Sequence, residues 1–393
     1  MSRLLIVYRT GLETIVRKGE IVPRYFNPGE VFNEVHIVAL NRERPDPTEL
    51  QKMVGGARLV LHNLPPPTAL KVGVWPPAFR LWVRRGVALA QSIQPDLVRV
   101  YGCELEGFMA TRLKAALSVP MVLSLHTNRD AVYRETGRPR IDRWLIARLV
   151  NRSTREVLHA ADEVLPVYKP IVPYLEKHGI RRYKVIYNAV GHGLVPKQNY
   201  ELNRPARLIC VGRFERSIKD PTNIVRGMAE LPDTKLTFVG DGPLSDTLAN
   251  VAQSVGVADR VELIRAMPNA RLLELLQEQD IFVFHSTLQL SKIMMEASLA
   301  GLPIVTNLRL RDPEPRFTED EVALHVDDSP EGYAEAVRRL LGDQSLREEL
   351  GRKARSFAEA TFHPTDMERK AADVYRTFVA GSPAEGVAGA VAR

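Results

Sequence analysis

The sequence predicts an α/β protein made of two doubly wound, parallel-sheet halves. Short apolar runs alternate with helical patterns, and the alternation runs twice. A polar stretch from Pro196 to Pro205 separates the two runs and reads as a linker. Strand, helix, strand, repeated, means a parallel sheet covered by helices. A third observation marks one stretch, Ser286 to Thr306, as the centre of the second half. It holds a strand end, a helix apolar on nearly every side, a Gly301-Leu302-Pro303 stop and a further strand.

The elements follow in order. Leu4 to Tyr8 is a first strand, and Arg9 to Gly29 a charged loop with a short helix. Glu34 to Leu40 and Arg58 to Leu61 are strands, and Pro76 to Ala90 is amphipathic and basic. Leu97 to Tyr101 is a strand, Leu105 to Leu117 a helix, and Pro120 to Leu125 a strand ending in His126. Ile141 to Ala161 is helical, and strands at Glu163 to Val167 and Lys184 to Tyr187 finish the half. After the linker, five strands are expected: Arg207 to Val211, Lys235 to Val239, Val261 to Ile264, Ile281 to Phe284, and Ile304 to Val305. Helices fall near Thr222 to Leu231, Leu244 to Val255 and Ala270 to Gln277. Asp327-Asp328-Ser329 caps a helix from Pro330 to Leu341, and a last helix runs from Pro364 to Val379. The expected divisions are 1–195, 206–362, a crossover helix over 363–380, and a flexible tail over 381–393.

At 393 residues with 45% hydrophobic and 26% charged content, two ordinary globular domains are affordable. A net charge of +7 favours anionic partners. The two cysteines, Cys103 and Cys210, lie one in each half among apolar neighbours and read as reduced core residues. The N-terminal apolar run is too short for a signal peptide, and no run approaches a membrane span, so a cytoplasmic protein is expected. The Trp75 to Arg85 stretch admits two readings, peripheral docking on the inner face of a membrane or a packed helix with basic edges. No Walker loop, nucleic-acid module or Ser-His-Asp spacing is present, and Asp241 and Asp327 do not cluster with other ligand types, so no nucleic acid and no metal is expected.

The chemistry concentrates in the second half. Ser291 is positioned to cap a helix from Lys292 to Ala300, whose N-terminus offers free N–H groups to a phosphate. Glu296 is the one acid in that helix, and a buried acid is costly unless something binds it. Lys292 is its local partner, and a ligand hydroxyl is the functional one. Gly212 and Arg213 end the first strand of this half and Lys219 follows, two cations suited to a diphosphate leaving group. The Gly240 to Pro243 turn is weaker, because any strand-to-helix turn uses Gly and Pro.

Glu296-Ala297, Gly301 and Pro303 resemble the signature of glycosyltransferase family 4, the retaining sugar transferases of the GT-B fold, whose pattern is Glu-Gly-Phe-x5-Glu-Ala-x3-Gly-x-Pro. The first Glu of that pattern is Leu288 here, followed by Gln289. The resemblance implies two Rossmann-like domains facing across a cleft, with the last helix crossing back to the first. It implies a nucleotide-diphosphate sugar as donor, UDP- or GDP-linked, no further cofactor, and a sugar, lipid-linked or small-molecule acceptor. It gives Glu296 the ribose, and Arg213 and Lys219 the donor phosphates, with Gly212 beside them. It places Pro268 beside the base, Gly19 near phosphate and acceptor, and His126 near the transferred sugar. With no acid at 288, either the backbone or Gln289 reads the sugar, or the chain is a degenerate member that binds a nucleotide or a partner without transfer. A basic surface-binding protein is the third reading.

Overall fold

A computed structural model describes residues 1–9, 11–67, 77–126, 153–190, 194–214, 220–265, 267–286, 291–307 and 322–379. Two six-stranded, all-parallel sheets form the frame. The first has the order β3-β2-β1-β4-β5-β6, from β1 (Arg3–Tyr8), β2 (Glu34–Ala39), β3 (Arg58–Asn63), β4 (Leu97–Tyr101), β5 (Met121–Leu125) and β6 (Glu163–Pro166). The second has the order β12-β11-β10-β7-β8-β9, from β7 (Ala206–Val211), β8 (Thr234–Val239), β9 (Val261–Ile264), β10 (Ile281–Phe284), β11 (Ile304–Thr306) and β12 (Leu324–His325). Read from β9, the second order repeats the first, so both halves are Rossmann-like and each has its switch point beside its first strand.

The apolar runs are strands because both faces of each sheet are covered. In β7 and β10 the side chains alternate between two cores. Ile209, Phe282 and Phe284 face the core shared with the Lys292–Leu299 helix, while Leu208, Cys210, Ile281 and Val283 face the other. Cys103 and Cys210 are buried and form no disulfide, as expected of reduced core residues. The helix Pro77–Ile93 turns Trp82 inward, with its indole N–H on the Leu64 carbonyl at 3.0 Å, and packs Phe79 on Phe108. Arg80, Arg84 and Arg85 remain outside, which is the packed-helix arrangement. Among the described residues, no helix is long and apolar enough to cross a membrane.

Several expectations need correction. Lys184 to Tyr187 is no strand. It runs beside β6 through a single bridge, Val164 to Tyr183, with Lys184 and Ile186 N–H groups on Val164 and Pro166 carbonyls. Its consecutive Val185, Ile186 and Tyr187 suit extended backbone, but the chain leaves the sheet too soon for a ladder. The strand β12 and the helix Gln344–Phe362, capped by Asp343 on the Leu346 N–H, were not foreseen. The polar stretch from Pro196 to Pro205 is a strap fastened to the second half. Tyr200 Oη donates to the Gly301 carbonyl at 2.9 Å, Asn203 N–H donates to Asp280, and Arg347 donates to the Tyr200 carbonyl.

The helix Pro364–Arg376 follows a proline break and packs on the first half. Arg24 grips Glu368 through two hydrogen bonds of 2.6 and 2.9 Å, and Phe32 meets Tyr375 edge to face. The tail over 381–393 and most of the Ile141 to Ala161 stretch lie outside the described residues; 153–160 is helical.

The Gly240 to Pro243 turn owes its glycines to close backbone approach. Gly240 has φ +137°, and a Cβ there would stand 1.9 Å from the Gly212 carbonyl oxygen. Gly242 is pressed against the Phe214 carbonyl in the same way, at 2.1 Å. Gly240→Ala is expected to destabilise the protein by about 3 kcal/mol or more, combining a disfavoured φ with a backbone clash. Urea unfolding with a fluorescence readout checks it.

Candidate functional site

The site begins where β7 and β10 lie side by side and their following loops diverge. After β7, the Gly212 N–H bonds the Val239 carbonyl at 3.0 Å and the Phe214 N–H bonds the Asp241 carbonyl at 3.2 Å. This stitching holds Arg213 at the strand end with its side chain exposed. Lys219 lies outside the described residues. The basic loop returns at Asp220, whose N–H donates to His285 Nδ1 at 3.1 Å. The other ring nitrogen, Nε2, lies 3.1 Å from the Asp328 carboxylate. The two bonds fix the tautomer: Nδ1 accepts and Nε2 carries the proton. His285 thus ties the end of the basic loop to the end of β10. The sequence reading missed this residue, and its signal was a His placed directly after a buried apolar run.

After β10, the Ser286 N–H donates to Asn307 at 3.0 Å, joining the ends of β10 and β11. Leu288 and Gln289 lie outside the described residues. The helix Lys292–Leu299 starts at Ser291, which has extended backbone, φ −110° and ψ 157°. Ser291 occupies the N-cap position, yet its side chain accepts no capping bond, and its Oγ is buried without a protein partner. The first N–H groups of a helix have no intrahelical acceptor, so the mouth keeps donors for a ligand. The helix ends in a Schellman motif: Leu302 N–H bonds the Ala297 carbonyl, Gly301 N–H the Ser298 carbonyl, and Gly301 takes φ +74°. Ile293 through Leu299 are all buried.

Glu296 therefore sits in an apolar helix, 2% exposed. Lys292 Nζ stands 3.9 Å from its carboxylate. Asn269 is the first residue of the Asn269–Gln277 helix, and its amide donates to Glu296 Oε1 at 3.3 Å. Pro268 holds the cap position. Burial raises the Glu296 pKa above its ordinary value, against Lys292 and Asn269, and the charge of Glu20 adds to the rise.

Glu20 belongs to the first half, so the two halves meet here. Gly19 ends the helix Leu12–Lys18 in the left-handed region, φ +63°, and a Cβ on it would lie 3.6 Å from Pro268 Cβ. Burial pushes the Tyr168 hydroxyl up, and the Glu296 charge contributes to that shift. The structure thus brings Gly19, Glu20 and Tyr168 towards Pro268, Asn269, Lys292 and Glu296. His126 stands apart from that group in its described contacts. It follows β5, half-buried, with its ring 5.9 Å from that of Tyr101, and burial with the nearby Arg99 charge lowers its pKa to about 4. Among the described residues, no three His, Cys, Asp or Glu side chains gather in a way that could hold a metal.

Two titrations follow. Between its unfolded and folded pKa values, Glu296 binds more protons in the folded chain, so its contribution to stability is lost as pH rises. Glu296→Gln is expected to raise the urea midpoint at pH 7.5 and to narrow that gain at pH 4. His126 behaves oppositely. The unfolded chain takes up its proton first as pH falls from about 6.5, so stability drops towards pH 4 by at most about 1.4 kcal/mol per unit. His126→Gln should flatten that limb in unfolding measured across the same range.

Two family profiles match the chain: "Glycosyltransferase Family 4" over residues 33–192 and "Glycosyl transferases group 1" over residues 196–357. The chain is 29% identical over 209 residues to lipopolysaccharide core biosynthesis glycosyltransferase LpsE of Rhizobium meliloti (strain 1021), covering 52% of this chain and 59% of that protein. The chain spans about half the length of the curated relatives it matches. Among solved structures, sucrose-phosphate synthase from Thermosynechococcus elongatus superposes with a TM-score of 0.74 at 18% identity, over 97% of this chain and 100% of that one. Anabaena Alr3699/HepE, in complex with UDP-glucose, does so with a TM-score of 0.69 at 14% identity, over 96% and 100%. These two likenesses show the fold. With one profile on each half and a Rossmann-like sheet under each, the chain belongs to glycosyltransferase family 4 and has the GT-B fold.

Proposed function

We propose that this chain moves a sugar from a nucleotide-diphosphate donor, UDP- or GDP-linked, to an acceptor hydroxyl, with retention of configuration and without a metal. The observation that carries the reading is Glu296, an acid 2% exposed in an apolar helix, whose partners among the described residues are one long hydrogen bond and a lysine 3.9 Å away. A ribose diol would supply donors to its remaining lone pairs. The free N–H groups near Ser291 and Lys292, with Arg213 and Lys219, would receive the diphosphate. Negative charge grows on that diphosphate as its bond to the sugar breaks, and donors fixed there beforehand stabilise it. Pro268 would flank the base and Gly19 would approach from the other half. His126, with its pKa near 4, is neutral at pH 7 and would act as a hydrogen-bond partner of the sugar. Where position 288 offers leucine, the backbone or Gln289 would read the sugar hydroxyls.

The domain extents that go with this reading are 1–195, 206–362, a crossover helix over 363–380 and a tail over 381–393. The acceptor is a sugar, a lipid-linked glycan or a small molecule; a lipid-linked one would bring the exposed arginines of the Pro77–Ile93 helix to the inner face of a membrane. Leu288 favours one second reading, a degenerate member that binds the nucleotide and transfers nothing.

A thermal-shift panel with UDP, GDP, ADP and TDP and their sugar conjugates tests both. A nucleotide at ~100 times its Kd adds about 2.7 kcal/mol of stability. The expected result is a shift with one base, lost in Glu296→Ala and Arg213→Ala, and enlarged by one sugar conjugate. A shift with the bare nucleotide that no sugar conjugate enlarges, together with no release of nucleotide from donor, favours the degenerate reading. No shift with any nucleotide in folded protein contradicts both.

A further inference from the structure

A second site lies in the first half, beneath the crossover helix. β4 carries Arg99 on the face that the helix Pro364–Arg376 covers, and the residue is 6% exposed. Among the described residues it forms no ion pair with a carboxylate. Its guanidinium carbon lies 4.9 Å from the Tyr101 ring and 5.2 Å from the Tyr375 ring, and Nη2 donates to Ser124 Oγ at 2.5 Å. Nε and Nη1 are buried with no hydrogen-bond partner in the protein. The hydroxyls of Tyr101, Tyr187 and Tyr375 are buried and outside hydrogen-bonding geometry, with Tyr101 close enough to Arg99 and Tyr375 to interact with both. Arg99, Tyr187 and Tyr375 line one cavity of about 60 Å³, several times what one water requires.

The unpartnered groups share one chemistry. Two are N–H donors with no acceptor capacity, and two are hydroxyls free to donate. The acid on the cavity wall, Glu368, is already engaged by Arg24 through two bonds and by the Gly29 N–H at 3.0 Å. Among the described residues Arg99 has no ion-pair partner; its buried charge rests on two tyrosine rings and Ser124, and an anion would complete it. We propose that this cavity binds a phosphate-class oxyanion, held by Arg99 and by the Tyr187 and Tyr375 hydroxyls. A tetrahedral oxyanion presents acceptor oxygens in several directions at once, matching donors that come from β4, the segment after β6 and the crossover helix. The anion would tie the crossover helix to the first sheet. None of these three residues belongs to the Glu296 group, Arg99 lies near enough to His126 for its charge to be felt there, and the inference does not depend on sugar transfer.

The test is thermal unfolding and calorimetry of the full chain with sodium phosphate and, separately, glycerol 3-phosphate, each against chloride at equal ionic strength. Wild type is expected to be stabilised by at least one of them. Orthophosphate alone sufficing identifies a free anion, and a response only to the ester identifies a phosphate carried on a larger ligand; either supports the site. Tyr187→Phe/Tyr375→Phe removes only hydroxyls, so it folds, and it should raise the Kd at least tenfold. Arg99→Gln should abolish binding wherever it folds. No response of wild type to either anion, or an equal response in the double phenylalanine variant, overturns the proposal.

Discussion

One buried carboxylate sets the terms for the second half of this protein. Glu296 lies a turn inside a helix whose other faces must be apolar, because the Gln344–Phe362 helix packs on it and its apolar side chains share one core with Phe282 and Phe284 of β10 and Ile304 of β11. Desolvation works against its charge, so the groups that reach it matter more than they would at a surface. Lys292 comes from its own helix, Asn269 from the next helix before it, and Glu20 and Tyr168 from the other half. The helix must also start openly. An N-cap serine that withholds its side chain leaves the first N–H groups available, and the Schellman turn at Gly301 places all the closure at the other end. Tyr200 and the strap around it then bolt that turn in place.

The two halves are joined twice, with different chemistry. Near the site the approach is close but thin, a glycine against Pro268 and charges felt across a gap. On the far side the joint is a packed helix, with Tyr187 against Phe362, Phe32 against Tyr375 and Arg24 on Glu368. Such an arrangement keeps the crossover helix with the first half.

Most of the frame could be read from the residues, and the exceptions have physical causes. Runs such as Leu4 to Tyr8 and Ile281 to Phe284 are apolar throughout because both faces are covered, and that pattern is visible in any order of elements. The two-residue strand β12 is too short to show a period, and Lys184 to Tyr187 has the composition of a strand without the neighbours of one. The Gln344–Phe362 helix carries charge along its exposed face and was overlooked beside the stronger Pro364 break. At the site, Glu296, Ser291 and Lys292 were legible because a lone acid in an apolar helix is a local anomaly. The Asn269 bond to Glu296 was not legible, since a side chain that bonds 27 residues away leaves no mark in its own neighbourhood. His285 and Arg99 belong to the same class: their roles are made by chain segments distant in sequence.

The measurement that bears most directly on the central claim is a crystal structure with a nucleoside diphosphate bound. The account predicts both ribose hydroxyls within about 2.6–3.2 Å of the Glu296 carboxylate. It also predicts the phosphates on the N–H groups that follow Ser291, with Arg213 beside them. A nucleotide bound with its ribose away from Glu296, or with its phosphates away from that helix mouth, would contradict it.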